Sequence, residues 1–425
     1  MRTLTVTDFA CIKNASLEIN KVTLIIGPQA SGKSVLCKLA YFLFDAANLQ
    51  FASLSKGESF EKFSAEIKIR FTEWFPMEAW GTGKFRIQLT AGDYSILITR
   101  KIWKSKVQDD FRLKLSSEFK EQYESLLTKF EKIHSQNKSR DRDFPDQLEF
   151  DWRLRQNVTQ SLTRLMGRDS ISYQAFVPAG RSFFTSIGKA IAAFEQGRVL
   201  DPLIVRFGRM YTSYKDSRRY RGLDHPADGG IRKNAEEIMQ TLLGGTLERD
   251  GEKEFILTPD GRRVPLSSMS SGQQEILPLL TFLPWVYGSK DDRLCYIEEP
   301  EAHLFPASQA KLIEALVMAA NVGAKGTNLV MTTHSPYVLT KINNLLKAGS
   351  ISRKLSEEQR KTLESRTSRR AWLLARNVRA YAIKDGNLCS ILGNDGLIDA
   401  DYLDEASGQL SEEFSHLLDL EFSNA

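Results

Sequence analysis

Residues 27–34, with the sequence Gly-Pro-Gln-Ala-Ser-Gly-Lys-Ser, constrain this chain more than any other stretch. They match the phosphate-binding pattern G-x-x-x-x-G-K-[ST] at every fixed position. The apolar run Val22–Ile26 before them predicts a buried strand, and residues 35–43 after them predict a helix packed against a sheet. Because this order of strand, glycine loop and helix is the context that the pattern requires, we expect an α/β fold that binds a nucleotide.

The residue types in this loop suit phosphate groups. Gly27 and Gly32 allow the backbone to turn so that successive N–H groups point at phosphate oxygens, and the helix N-terminus adds partial positive charge. Lys33 is predicted to reach the β- and γ-phosphates of ATP, and the Ser34 hydroxyl to ligate Mg²⁺. The predicted nucleotide contacts in this segment are Gly27, Pro28, Gln29, Ala30, Ser31, Gly32, Lys33, Ser34 and Val35.

The composition is that of a globular protein. Of the 425 residues 42% are apolar and 26% are charged, and the net charge of +5 argues only weakly for a nucleic-acid partner. The four cysteines are scattered, without metal-binding spacing, which suits reduced thiols in a cytoplasmic protein. The longest apolar stretch, residues 276–287, contains two prolines and is too short to span a bilayer, so we expect no membrane partner.

Local patterns predict the elements between the two ends of the chain. After a polar loop at 46–62, three alternating runs predict an antiparallel meander: 64–71, 84–90 and 94–102. Residues 116–165 predict a short, charged helical hairpin. Strands and helices then alternate from 267 to 346, which predicts a parallel sheet.

Two further elements are predicted near the C-terminal end, a hairpin at 381–392 and a helix at 402–418. We therefore divide the chain into two lobes. The nucleotide-binding lobe comprises residues 1–110 and 290–425, and a helical insertion lobe comprises residues 111–289.

Three later segments carry candidate functional side chains. Ser-Ser-Gly-Gln at 270–273 begins a predicted helix, Glu298 and Glu299 end an apolar strand, and His334 ends another. Each has an ordinary structural interpretation: a helix cap, two solvated carboxylates and a structural histidine. Their joint order and spacing after residues 27–34 is hard to obtain by chance, so we interpret them as parts of one site.

In these motifs the chain resembles the ABC-type ATPase heads, which include SMC and DNA-repair ATPases, OLD-type proteins and AAA ATPases of bacterial anti-phage systems. The resemblance implies an α/β ABC-ATPase head, a P-loop NTPase fold with an antiparallel β meander and helical insertions. It assigns residues 301–304 to the D-loop. It assigns Ser270, Ser271, Gly272 and Gln273 to the signature motif, Glu298 and Glu299 to the Walker B pair and His334 to the switch histidine.

The resemblance also implies a mechanism. Glu299 is expected to be the general base, His334 to orient the attacking water, and Lys33 to neutralise charge on ATP. Ser34 and Glu298 are the expected Mg²⁺ ligands. Because the signature motif of this family covers a nucleotide bound by another head, a homodimer or higher homo-oligomer is implied.

Two positions depart from the family pattern. Glu298 stands where aspartate is usual. The Q-loop glutamine is not evident, because Gln174 is a weak candidate and Arg181 lies where that loop should begin.

The biological task is open between two hypotheses. The phrase Glu-Pro-Glu-Ala-His-Leu at 299–304 resembles OLD-type and defence ATPases more than transporter ATPases. Stand-alone ATPases of this build occur in two-gene defence systems of the PARIS or Septu type, and that resemblance implies control of a separate effector protein, such as a nuclease, in antiviral defence. The alternative is an SMC-like or repair-like ATPase that acts directly on DNA. Basic and aromatic residues interleave at 206–221, which suits nucleic acid, although a solvated helix face explains them equally well.

Overall fold

The computed structural model describes most of the chain. The described residues are 1–104, 106–137, 144–187, 200–216, 237–251, 253–286, 292–321, 327–399, 412 and 415.

Two sets of elements make up this part of the chain. The strands are β1 Arg2–Phe9, β2 Ile12–Ile19, β3 Val22–Ile26, β4 Arg86–Ala91, β5 Tyr94–Trp103, β6 Lys106–Leu115, β7 Tyr173–Val177, β8 Thr246–Asp250, β9 Lys253–Leu257, β10 Arg263–Pro265, β11 Arg293–Glu298, β12 Thr327–Thr333, β13 Val378–Lys384 and β14 Asn387–Ser390. The helices are α1 Lys33–Asn48, α2 Gln50–Ser55, α3 Phe60–Trp74, α4 Ser117–Asn137, α5 Phe144–Met166, α6 Ser182–Ile187, α7 Pro202–Asp216, α8 Ser271–Val286, α9 Pro306–Asn321, α10 Pro336–Ile351 and α11 Glu357–Glu364.

One large mixed sheet organises the molecule. Its strand order is β6-β5-β4-β1-β2-β14-β13-β3-β12-β11-β7. Strands β7, β11, β12, β3 and β13 run parallel, and β1, β2, β4, β5 and β6 pair antiparallel. The predicted α/β class, with a parallel half and an antiparallel meander, is therefore confirmed. Strands β8, β9 and β10 form a separate small sheet.

The two faces of this sheet carry separate hydrophobic cores. Every residue of β3 is buried, since helices cover both faces of a parallel sheet. Ile25 belongs to the core that packs under α1 and α3 to α5, whereas Leu24 belongs to the core under α8, α9 and α10. The alternation of side chains along one strand thus anchors both layers, and it holds the end of β3 in a fixed place.

Two local predictions near the N-terminus are wrong. The predicted loop at 46–62 contains α2 and the start of α3, and the predicted strand at 64–71 lies inside α3. Phe63, Ile67 and Phe71 are buried at helical spacing, whereas Ile69, which completed the apparent alternation, is 57% exposed. Ser59 caps this helix by accepting a hydrogen bond from the N–H of Lys62.

The antiparallel meander consists of β4, β5 and β6 instead. Strand β6 was not predicted, because its outward positions are mostly charged, as is common on an edge strand. The charged hairpin is confirmed as α4 and α5, which pack together. Strand β7, from the predicted insertion lobe, pairs with β11 in the large sheet. The two-lobe division stays a prediction, and the predicted helix at 402–418 lies outside the described residues apart from two isolated positions.

One segment of the described chain is long and apolar enough to cross a membrane by length and composition alone. It covers residues 33–55, which form α1 and α2. Helix α1 directly follows the glycine loop, and most of its apolar side chains pack into the core beside the sheet. This is the environment of a core helix in a folded domain, which passes the same composition test.

The close packing of helix α10 against the backbone of Leu373 can be tested by mutation. Replacing Gly349 by alanine should favour the helix by about 1 kcal/mol through intrinsic propensity. However, the added Cβ would overlap the carbonyl oxygen of Leu373, so we expect a net loss of about 1–2 kcal/mol in the free energy of unfolding. Urea denaturation would measure it. The control is Asn344→Ala at an exposed site of the same helix, which should be neutral or stabilising. Equal stability of the two variants would contradict the packing argument.

Candidate active site

The glycine loop joins β3 to α1 as a tight backbone cradle. Gly32 has φ of 102°, in the left-handed region, and an added Cβ there would overlap the Ile12 side chain. A Cβ on Gly27 would lie 2.8 Å from Ser31 Oγ and 3.2 Å from the carbonyl oxygen of Ile383. Position 32 therefore requires glycine for its backbone conformation, and the close contacts at Gly27 favour a residue without a side chain. The structure places the predicted cradle, residues 27–34, at the carboxyl end of β3, between β13 and β12 in the parallel half of the sheet.

Lys33 is folded back into the loop. Its Nζ donates hydrogen bonds of 2.8 Å to the carbonyl oxygens of Gly27 and Pro28. Burial lowers the pKa of this ammonium group, and the nearby carboxylates of Glu299, Glu301 and Glu298 partly offset that effect. The charge is thus held among acceptors that the phosphate groups of a nucleotide could replace.

Glu298 ends β11 beside the loop and is only 9% exposed. Burial raises the pKa of its carboxyl group, while the neighbouring Ser34 hydroxyl and the Ala179 N–H act in the opposite direction. Its Oε2 accepts a 3.2 Å hydrogen bond from Ala179 N, whereas its Oε1 is buried without a hydrogen-bond partner in the described part of the chain. A buried carboxylate oxygen with spare acceptor capacity beside a serine hydroxyl fits a hard cation such as Mg²⁺.

Glu299 and His334 meet at the ends of neighbouring strands. His334 Nε2 lies 3.3 Å from Glu299 Oε1, and both side chains are roughly one-third exposed. Glu299 has φ of 42°, which is strained for a residue with a side chain, and its N–H donates to the carbonyl oxygen of Thr332 at 3.0 Å. The strained turn directs the predicted base toward the predicted switch histidine at a solvent-accessible position.

Comparison with known proteins places this chain in a family. A family profile described as "AAA domain, putative AbiEii toxin, Type IV TA system" matches residues 22–340, well over half of the chain. The chain belongs to this AAA-domain family. Its sequence gave no match among curated proteins.

Two solved structures are distantly similar to this chain. The SMC head domain from Thermotoga maritima is 12% identical with a TM-score of 0.38, and the match covers 92% of this chain and 98% of that chain. A dimeric bacterial ABC transporter cassette is 13% identical with a TM-score of 0.30, covering 91% and 96%. Likenesses this distant add nothing about function.

The predicted signature segment forms a capped helix start. Ser270 Oγ accepts a hydrogen bond from Gln273 N, and Gln273 Oε1 accepts one from Ser270 N, so the pair makes a reciprocal cap at the start of α8. Gln273 also donates to the carbonyl oxygen of Leu243 at 2.6 Å. Ser270 and Ser271 themselves are exposed. The Ser270 hydroxyl is therefore engaged in the helix cap, and the role of the segment in binding nucleotide stays a prediction.

Glu301 contributes to the site in a way that the sequence reasoning did not foresee. Its buried Oε1 accepts hydrogen bonds from Thr333 Oγ1 at 2.7 Å and from the N–H of His334 at 2.9 Å. It therefore fixes the backbone that carries His334, the predicted switch histidine. The family resemblance assigned Glu301 to the D-loop, and no sequence pattern indicated that its carboxylate would bind the backbone of His334.

The two residues considered for the Q-loop, Gln174 and Arg181, make different contacts in the structure. Gln174 lies within β7, where its side chain donates to the carbonyl oxygen of Tyr41 and accepts from the Tyr296 hydroxyl. It is thus part of the packing between the sheet and α1. Arg181 is fully buried after the end of β7, and it donates to the carbonyl oxygens of both Glu298 and Glu299.

In the described part of the basic and aromatic stretch, residues 206–216, three side chains have structural roles. Phe207 and Tyr211 are buried in the core, at 1% and 3% exposure. Arg206 forms a 2.8 Å ion pair with Asp45 and lies over the rings of Tyr41 and Trp74. These contacts favour the solvated-face interpretation for this part of α7. Three arginines of the predicted patch, Arg218, Arg219 and Arg221, lie outside the described residues.

Removing the loop ammonium group tests the cradle. Lys33→Ala should weaken ATP binding by about 30-fold or more, because a buried, hydrogen-bonded charge is lost. Fluorescence titration with an ATP analogue and Mg²⁺ would measure the dissociation constant. Lys38→Ala is the matched control, since Lys38 lies on the same helix and pairs with Asp201 instead. Equal affinity of the Lys33 variant and the wild type would rule out the assigned contact.

Proposed function

We propose that this chain hydrolyses ATP with Mg²⁺ and uses the nucleotide to join copies of itself. The observation that carries the proposal is the 3.3 Å approach of Glu299 to His334 at the sheet edge that also holds the glycine loop. Membership in the AAA-domain family supports nucleotide use. A carboxylate that is accessible to water and oriented by a neighbouring group is suited to general-base catalysis.

The side chains divide the work of the reaction. Glu299 accepts the proton of the attacking water, and His334 orients that water and the terminal phosphate. Lys33 and the N–H groups of the cradle stabilise negative charge on the phosphates. Ser34 and Glu298 would hold Mg²⁺, which supplies charge neutralisation when bound.

The second half of the site is proposed to come from another copy. Ser271 and Gly272 begin α8, and the N-terminus of a helix offers N–H groups to a phosphate. The exposure of Ser270 and Ser271 supports a role toward a neighbouring molecule. Two aromatic side chains close in sequence to the site, Phe305 and Tyr337, are 77% and 51% exposed, which fits a face that another copy covers.

We further propose that ATP-driven assembly controls a separate effector protein, such as a nuclease, in antiviral defence within the cytoplasm. The family description mentions a toxin of a type IV toxin–antitoxin system, and such a system consists of two proteins. The description therefore supports a role together with a second protein. The resemblance of residues 299–304 to OLD-type and defence ATPases supports the same role. Direct action on DNA is the alternative, and Arg206, already paired with Asp45, does not favour it.

Blocking hydrolysis while keeping ATP binding tests the catalytic assignment. Glu299→Gln should lower the hydrolysis rate about 100-fold or more, because general-base catalysis is removed. It should also make self-association persist in ATP and Mg²⁺. Phosphate release and analytical ultracentrifugation would measure both. The control is Glu364→Gln on the exposed face of α11. Wild-type turnover by the Glu299 variant would show that another group is the base.

The trapped assembly also identifies the partner. Purification of tagged Glu299→Gln chain from the source organism, with ATP present, should retain a nuclease or other effector protein. The Lys33→Ala chain, treated identically, should retain much less. Recovery of DNA without an effector protein would favour the alternative of a DNA-maintenance ATPase.

A further inference from the structure

Arg181 connects three separated segments of the chain in the interior of the protein. It is 0% exposed and follows β7 in the loop 178–181. Its Nη1 donates to the carbonyl oxygens of Pro178 at 3.2 Å and Glu298 at 2.7 Å, and its Nη2 donates to that of Glu299 at 3.0 Å. The guanidinium group therefore fixes the backbone of both Glu298 and Glu299 from the protein interior.

The opposite side of Arg181 is held by the first turn of α8. Its Nε donates to the Glu275 carbonyl oxygen at 3.0 Å and lies 3.6 Å from Glu275 Oε2. The Glu275 carboxylate, 2% exposed, also accepts the N–H groups of Arg181 at 2.8 Å and Ser182 at 3.1 Å. Because Glu275 lies four residues after Ser271, the outward-facing helix start and the acid pair share one buried link.

This link acts on a strained residue. Glu299 has positive φ, and hydrogen bonds hold the peptide groups on both sides of it. Its N–H donates to the carbonyl oxygen of Thr332, and its own carbonyl oxygen accepts from Arg181. Backbone strain of this kind persists only where surrounding contacts impose it. A change in the position of Arg181 should therefore change the direction of the Glu299 side chain without altering the glycine loop.

We propose that Arg181 is a positioning residue for Glu299, and that the Arg181–Glu275 pair couples α8 to it. The inference rests on the proposed function, since it describes how contact with a second copy regulates hydrolysis at that site. When a second copy contacts Ser270 and Ser271, any shift of α8 moves Glu275, then Arg181, then the carbonyl group of Glu299. Hydrolysis thereby depends on assembly, while ATP binding at the loop does not.

A purely structural role would give a different outcome from a positioning role. Loss of general packing would lower thermal stability, ATP affinity and turnover together. Loss of positioning would lower kcat and leave the dissociation constant for ATP nearly unchanged. The conservative change Arg181→Lys keeps a charge in the site but loses the planar fork that reaches three carbonyl groups and Glu275 at once.

The test compares Arg181→Lys, Glu275→Gln and the double variant with wild type. Each single variant should lower kcat about 10- to 100-fold, because small misplacements of a reacting group are costly. ATP affinity should be retained. The double variant should be no slower than the slower single variant, since both changes break the same link. Arg2→Lys is the matched control: Arg2 is a buried arginine at the start of β1 that donates to two carbonyl oxygens, of Asp169 and Ser170.

Each result decides between the ideas. Unchanged kcat in both single variants, or kcat losses that multiply in the double variant, would overturn the inference while leaving the proposed ATPase intact. A wild-type chain that neither hydrolyses ATP nor associates in its presence would overturn the proposed function and the inference with it. If Arg181→Lys does not fold, Glu275→Gln alone decides, through its kcat and its ATP-dependent association.

Discussion

The register of the parallel strands is the constraint on which the site depends. Strand β12 lies between β3 and β11, and its residues Thr332 and Thr333 pair with Ile25 and Ile26, while Thr332 also pairs with Glu298. The carboxyl ends of these strands therefore meet at one edge of the sheet. Residues that are far apart in sequence, from Gly27 to His334, come together there because the pairing of the strands fixes their positions.

The same edge of the sheet holds several charged side chains that are buried from solvent, among them Lys33, Arg181, Glu298 and Glu301. Burial lowers the pKa of both Lys33 and Arg181, and in each case neighbouring glutamates act against that shift. Glu298, Glu299 and Glu301 influence both cations. Charged groups without full solvation are costly unless they are paired, so the acids and the two cations hold one another in place. Phosphate groups and Mg²⁺ would enter an arrangement that already contains both signs of charge.

The sequence predicted the parts of this site that have fixed local patterns. The strand, loop and helix around Lys33, the acid pair after β11 and the hairpin near residue 385 all follow from periodicity and glycine placement. The error at α3 arose because residues 67–71 satisfy two periods at once, and only tertiary packing decides that Ile69 faces solvent. Arg181 could not be assigned, since its partners are mostly backbone carbonyl groups, which carry no sequence signal, and its one carboxylate partner, Glu275, lies 94 residues away in the sequence.

Glu298 shows why a departure from the usual residue can be consistent with the same chemistry. The Ala179 N–H donates to its Oε2, so the glutamate also fastens the loop 178–181 that carries Arg181. Arg181 in turn binds the carbonyl group of Glu298, which closes a ring of contacts between the loop and β11. The carboxylate of Glu298 thus holds this loop with one oxygen, while the other, Oε1, has no hydrogen-bond partner in the described chain. In this chain the loop that lacks an evident glutamine is thus tied to the acid pair through backbone groups and one buried arginine.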